Sequence, residues 1–182
     1  MLWCIAQGLG FFDQAGGVLR ANLGWTPFSS QLEIRAGGRE IVLRGGLGLD
    51  LRRRVQAALA DGNVRRLRLD SSTGHPQAAL QLLQIVQQEQ LNSYVDRRCA
   101  GPCLAVFLAG SHRTVERRAL IGFAPLAELP VSVDWLTSQG IAPWFIAGWQ
   151  RQPRGMGYLP VEELRRAGVI TTLSGQPAAR QR

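Results

Sequence analysis

Cys103 and His75 are the two side chains in this sequence best suited to covalent chemistry. A thiolate attacks carbonyl carbon readily and an imidazole removes its proton, so a Cys–His pair is a complete nucleophile and base. Both residues also have plain structural uses. A buried cysteine packs as a small hydrophobe, a reactive one needs a partly exposed, electropositive setting, and a histidine near a helix start serves as a cap or a surface residue. Cys99 lies four residues before Cys103. Across a turn, that separation can bring the two Cα atoms within the ~4.4–6.8 Å that a disulfide tolerates; two reduced core thiols are the alternative. With Cys4 the chain has three cysteines, too few for a disulfide-stapled miniprotein and without the paired spacing and histidines of a zinc site. No metal is expected. Ser71-Ser72-Thr73-Gly74 resembles an anion cradle at a helix N-terminus, but the lysine and full spacing of a phosphate loop are missing, so a capped strand-to-helix turn is the better reading. Glu162 and Glu163 read as first-turn carboxylates favoured by the helix dipole, and His112 has no visible partner. No cofactor is implied.

The chain that must position these groups has 182 residues and a formal charge of +8. It is long enough for one domain with a sizeable core, its apolar content excludes disorder, and no uninterrupted apolar run approaches the ~20 residues of a membrane span. All 21 basic residues are arginine. A GC-rich genome accounts for that bias, which weakens the charge as a functional clue. The clusters Arg52–Arg54, Arg65/Arg66/Arg68, Arg97/Arg98 and Arg117/Arg118 are dispersed and mostly lack interleaved aromatics, which argues against nucleic-acid binding. Residues 1–30 are glycine-rich with scattered aromatics, lack a basic n-region, and are interrupted by Asp13. They read as an arm packing on the domain or on a neighbouring subunit. The sharper alternative is the remnant of a signal or membrane-proximal segment, which would favour contact with an anionic membrane surface.

From residue 31 the pattern predicts a hairpin over Leu32–Arg44 turning at Gly37-Gly38, then a helix capped by Asp50, running to Ala60 and ended by Gly62. A strand over Val64–Asp70 follows, then a helix over Pro76–Gln90, a short strand at Tyr94-Val95, and an almost wholly apolar helix over Pro102–Ala109. Ala119–Phe123 is a further strand, Trp135–Trp149 a helical region, Pro160–Ala167 a last helix and Val169–Leu173 a closing strand. Strands alternating with helices predict α/β layers over a largely parallel sheet in residues 31–175, with a frayed tail over 176–182.

The order of three motifs is distinctive. Leu67-Arg-Leu-Asp70-Ser-Ser-Thr-Gly74, Tyr94-Val-Asp-Arg-Arg-Cys99-Ala-Gly-Pro-Cys103 and Ala119-Leu-Ile-Gly-Phe123 together resemble the Clp-protease/crotonase superfamily, and most nearly its periplasmic Clp-protease-like branch. Gly140-Ile-Ala-Pro143 and Met156-Gly-Tyr-Leu-Pro160 through Ile170 extend the likeness to about residues 40–173. The resemblance implies a crotonase-like α/β spiral of ββα units with a mixed, largely parallel sheet. It also implies homo-oligomers, to which the apolar helix near Leu104 and the region Trp135–Trp149 could offer surface, and a periplasmic or membrane-associated location. Matching cysteines bracket the nucleophile in that branch, which favours a Cys99–Cys103 bond without excluding reduced thiols.

The chemistry implied by the resemblance is missing at every step. The nucleophilic serine would stand at Gly101, the base histidine at Ala124 and the orienting aspartate at Met156. One oxyanion N–H would come from Thr73, where β-branching resists glycine-only conformations, and the other from Pro102, which has none. Losing one such donor costs ~10²–10³ in rate before the nucleophile is counted. Two readings follow: a noncatalytic scaffold that partners copies of itself, an active paralogue or a membrane complex, and a hydrolase with a site rebuilt around Cys103 and His75.

Overall fold

Alternating apolar residues seed the first hairpin. In the computed structural model, which describes residues 29–60, 62–152 and 155–174, β1 (Ser30–Arg35) and β2 (Glu40–Gly45) pair antiparallel with Leu32 opposite Leu43 and Ile34 opposite Ile41. Helix α1 (Leu51–Leu59) returns the chain to β3 (Arg66–Ser71), parallel to β2. Asp50 stands at the start of α1 but makes no capping bond; its carboxylate accepts from Arg54 Nη1 at 3.1 Å instead. Helix α2 (Pro76–Gln88) then crosses to β4 (Asn92–Ala100). The expectations for residues 1–28 and for the tail from 176 lie outside the described residues.

β4 is far longer than the Tyr94-Val95 strand expected, and its length forks the sheet. Its first half pairs with β5 (Arg113–Val115), Ser93 opposite Arg113, while its last three residues pair with β6 (Leu120–Phe123), Ala100 opposite Gly122. β8 (Thr172–Leu173) extends the β5 branch, and the two-residue β7 (Gly157–Tyr158) runs antiparallel to β6. The closing strand is thus shorter than the five residues expected. The region Trp135–Trp149 is two helices, α4 (Val133–Ser138) and α5 (Pro143–Gln150), because a residue before proline is excluded from helical ψ and Ala142 is extended at ψ 134°. Helix α6 (Val161–Arg166) precedes β8. The result is an α/β fold with a mixed, largely parallel sheet.

Helix α3 (Pro102–Leu108) lies at the centre of the core, and Cys103 through Leu108 are all buried. It therefore supplies no surface for a neighbouring subunit; of the aromatic region, Phe145 and Trp149 are also enclosed, leaving Trp144 outward. Behind α3 stands Arg113, buried without an acidic partner among the described residues. Its guanidinium donates to the carbonyls of Leu108 at 3.1 Å, Gln139 at 2.9 Å and Gly168 at 2.8 Å, at or just past the C-terminal ends of α3, α4 and α6. Burial pulls its pKa below the usual arginine value, while carbonyl ends of helix dipoles favour the cation.

The two faces of the sheet differ in kind. One carries Leu43, Leu67, Leu69 and Val95 into the core. The other is polar: Glu40, itself buried, faces Arg66 Nε at 2.6 Å and Arg68 Nε at 3.3 Å, and Arg68 reaches Asp96 at 3.2 Å. Both arginines lie over the ring of Tyr94, whose hydroxyl donates to Glu116.

Candidate functional site

The C-terminal ends of β3, β4 and β6 meet at one edge of the molecule, and the turns leaving them make the site. Between β4 and α3 the chain reverses at Gly101, with φ 55° and ψ −129°. That is the first central position of a mirror-type turn, which L-residues adopt only under strain. Sharp strand-to-helix elbows of this kind present a nucleophile above a sheet. A Cβ here would meet only the Ser72 carbonyl, at 3.9 Å. The space for a side chain is open, and glycine leaves it empty.

Register brings the other two positions to the same place. Ala100, just before the elbow, faces Gly122, and Gly122 faces Tyr158. Phe123 faces Gly157, so one further step sets Ala124 against Met156. A Cβ on Gly122 would fall 2.7 Å from Ala100 Cβ and 2.9 Å from the Met156 sulfur, which shows how closely these strands converge. Register thus sets Gly101, Ala124 and Met156 at neighbouring strand ends, and none carries a group that can move a proton. The carbonyls at the end of β6 are occupied: Trp149 Nε1 donates to Ala124 O at 2.8 Å and Gln152 Nε2 to Phe123 O at 2.9 Å. Sequence reasoning missed both donors, since nothing local marks a tryptophan 25 residues on or a glutamine 29 residues on as belonging to that strand.

The turn after β3 forms the second wall. Thr73 O accepts from Leu47 N–H at 3.1 Å and from Ser71 Oγ at the same distance. Gly74 is required there because a Cβ would lie 2.7 Å from Leu47 N and 2.6 Å from its Cβ. Pro102 occupies the first position of α3, so the N–H following the elbow is absent. Beside this wall lies a polar cleft of about 410 Å³ whose lining includes Gly46, Ser72, Thr73, Arg97 and Arg98. Arg97 donates to Asp70 from Nε at 2.8 Å, and that carboxylate raises the arginine pKa further.

Cys103 and His75 are not joined as nucleophile and base. Cys103 is disulfide-bonded to Cys99, with their Cα atoms 5.4 Å apart, and both are fully buried. His75 caps α2, its Nδ1 accepting from Gln77 N–H at 3.1 Å. Each side chain is committed to structure. Among the described residues no three His, Cys, Asp or Glu side chains gather to hold a metal, and no helix is long and apolar enough to cross a membrane.

Beyond Met156 a second cavity opens, about 570 Å³, with Phe123, Trp144, Phe145, Trp149 and Leu159 among its walls and Arg151 and Glu163 on its lining. Phe123 packs edge-on to Trp149 and Phe145, with ring centroids 5.0 and 5.4 Å apart.

No protein-family model and no curated protein matches the sequence. Solved structures do match in fold. ClpP1 from Listeria monocytogenes superposes with a TM-score of 0.60 at 12% identity, covering 78% of this chain and 94% of its own. An enoyl-CoA hydratase from Bacillus halodurans gives 0.55 at 14% identity over 81% of this chain and 74% of its own. An enoyl-CoA hydratase/isomerase from Cupriavidus metallidurans gives 0.54 at 14% identity over 79% and 67%. At these identities the likeness is one of fold: the chain has the ClpP and crotonase architecture.

Proposed function

We propose that this protein is a catalytically degenerate Clp-protease-like chain, a pseudoenzyme that acts as an oligomeric scaffold or interaction partner. The observation that carries the reading is the elbow at Gly101. A backbone geometry suited to presenting a nucleophile is kept, while the position bears no side chain and is followed by a proline that offers no N–H. Ala124 and Met156, at the neighbouring strand ends, add no base and no orienting carboxylate. Fold alone does not choose a function; the absence of reacting groups where the ends of β3, β4 and β6 meet supports this reading. A likeness to ClpP1 supports the expectation of homo-oligomers, and the exposed Trp144, Met156 and Tyr158 offer apolar surface for contact. The Cys99–Cys103 bond suits an oxidising compartment such as a periplasm. The folded domain is taken as residues 31–175, preceded by the arm.

A fluorophosphonate probe tests the reading. The folded protein is expected to stay unlabelled, and peptide or ester turnover to match a denatured control. Gly101→Ser alone is expected to remain silent, since neither base nor second oxyanion donor returns with it. Labelling of the unaltered chain at a specific serine would sink the proposal, as would fast alkylation of Cys103 in the native protein. A mass near 20 kDa by light scattering at micromolar concentration would remove the oligomer.

A further inference from the structure

β4 carries extra residues relative to β3 at the point where the sheet forks. Leu69 stands opposite Val95 and Ser71 opposite Cys99, so Asp70 alone faces the stretch Asp96, Arg97 and Arg98. A bulge of this kind bends the strand, interrupts its ladder and re-aims its side chains. In a regular strand, consecutive side chains point to opposite faces of the sheet. Arg97 and Arg98 are consecutive, yet both line the polar cleft beside Asp70, Ser72 and Thr73. The bulge gathers two cations where a regular strand would deliver one.

The two arginines differ in what holds them. Arg97 donates to one oxygen of Asp70 from both Nε and Nη2, which fixes its guanidinium and leaves Nη1 outside that pair. Arg98 is exposed and belongs to no ion pair among the described residues. Exposed Ser72 and Thr73 add two hydroxyls to the wall. The charged groups of the lining are Arg97 and Arg98 against Asp70, an excess of a single positive charge. A singly charged oxyanion balances that excess, whereas a phosphate dianion would overshoot it with a carboxylate close by. Guanidinium groups also match the planar geometry of a carboxylate, to which they donate in parallel. The cleft, about 410 Å³, is of small-ligand size. We propose that the cleft at this bulge is a carboxylate-binding site, in which Arg98 and the free edge of Arg97 grip the carboxylate of a peptide chain end or of a small organic acid. The assignment does not depend on whether the chain is catalytically silent, because its test reads binding without turnover.

The test is a titration of the full, disulfide-intact chain with acetyl-trialanine, its C-terminal amide, acetate and inorganic phosphate. Binding is followed by proton–nitrogen correlation spectra at low salt, where screening is weakest. The peptide acid is expected to shift the Ser72 and Thr73 amides and the Arg98 Nε signal saturably, and the peptide amide to shift none of them. Arg98→Gln should weaken binding about tenfold. Arg166→Gln, which removes the same charge from an exposed position on α6, should leave it unchanged. Tighter binding of the peptide acid than of acetate assigns the carboxylate to a chain end, and equal binding assigns it to a small acid; either result upholds the site. Equal binding of peptide acid and amide overturns the proposal, as does phosphate binding more tightly than the acid. Equal weakening by the two substitutions would reduce the effect to diffuse charge and overturn it too, and so would the absence of any shift with all four probes.

Discussion

The two ends of α3 show opposite uses of polar chemistry. At its C-terminal end Arg113 is taken wholly into the core and holds three carbonyls, each from the close of a different helix. At its N-terminal end, where backbone N–H groups and the dipole would favour a developing negative charge, the chain places Gly101 and Pro102 and a disulfide. One buried end is rich in satisfied hydrogen bonds and the other carries no side chain that can move a proton. The geometry of the elbow follows from the strand register and helix packing of the core.

The sharpest way to break this contrast is Arg113→Met. It leaves the carbonyls of Leu108, Gln139 and Gly168 buried with one partner fewer each, and a loss of about 3 kcal/mol or more is expected by urea denaturation. At the other end, refolding without the Cys99–Cys103 bond should cost about 2 kcal/mol, because the closed loop is only five residues long and restrains the unfolded chain little. Gly101→Ser should cost about 1–2 kcal/mol for placing a side chain at positive φ. Since the added Cβ meets no closer atom than the Ser72 carbonyl, a larger loss would mean that the elbow is not open.

The smallest expected effect is one of pH. The Tyr94 hydroxyl and further hydrogen bonds hold the Glu116 pKa below its ordinary value. A depressed carboxyl pKa contributes stability that is present above the unfolded value and is lost as pH falls through the folded one. Tyr94→Phe should therefore lower stability at neutral pH by a few tenths of a kcal/mol, since Glu116 is only partly buried, and converge with the unaltered protein at acid pH, so that part of the acid limb flattens. An unchanged acid limb would show that the Tyr94–Glu116 contact carries no linkage.

How much of this was legible in the sequence depended on whether the signal was local. The Gly37-Gly38 hairpin, the apolar stripe of α2 and the wholly apolar run of α3 announce themselves within a dozen residues, and all three form. β4 was underestimated because Asp96, Arg97 and Arg98 look like a turn; they are strand residues, with Asp96 paired to Arg68 and Arg97 to Asp70. β5 escaped because three residues with an arginine first carry no period, and that arginine is buried for reasons written in helices up to 55 residues away. The site positions Gly101, Ala124 and Met156 came from a resemblance of motifs. Their placement at neighbouring strand ends rests on strand register, which no local pattern states.

The buried Glu40 carries a consequence for assembly. It faces Arg66 directly across the β2–β3 pairing and reaches Arg68 two residues on. If β2 slid by one residue, Glu40 would meet Leu67 and point into the apolar layer while Ile41 and Leu43 turned towards the arginines. A carboxylate stripped of its cations in that layer carries a penalty of several kcal/mol. The native pairing is thus proofread by one acid. A one-residue slip of the hairpin on β3 is opposed by a buried charge as well as by packing.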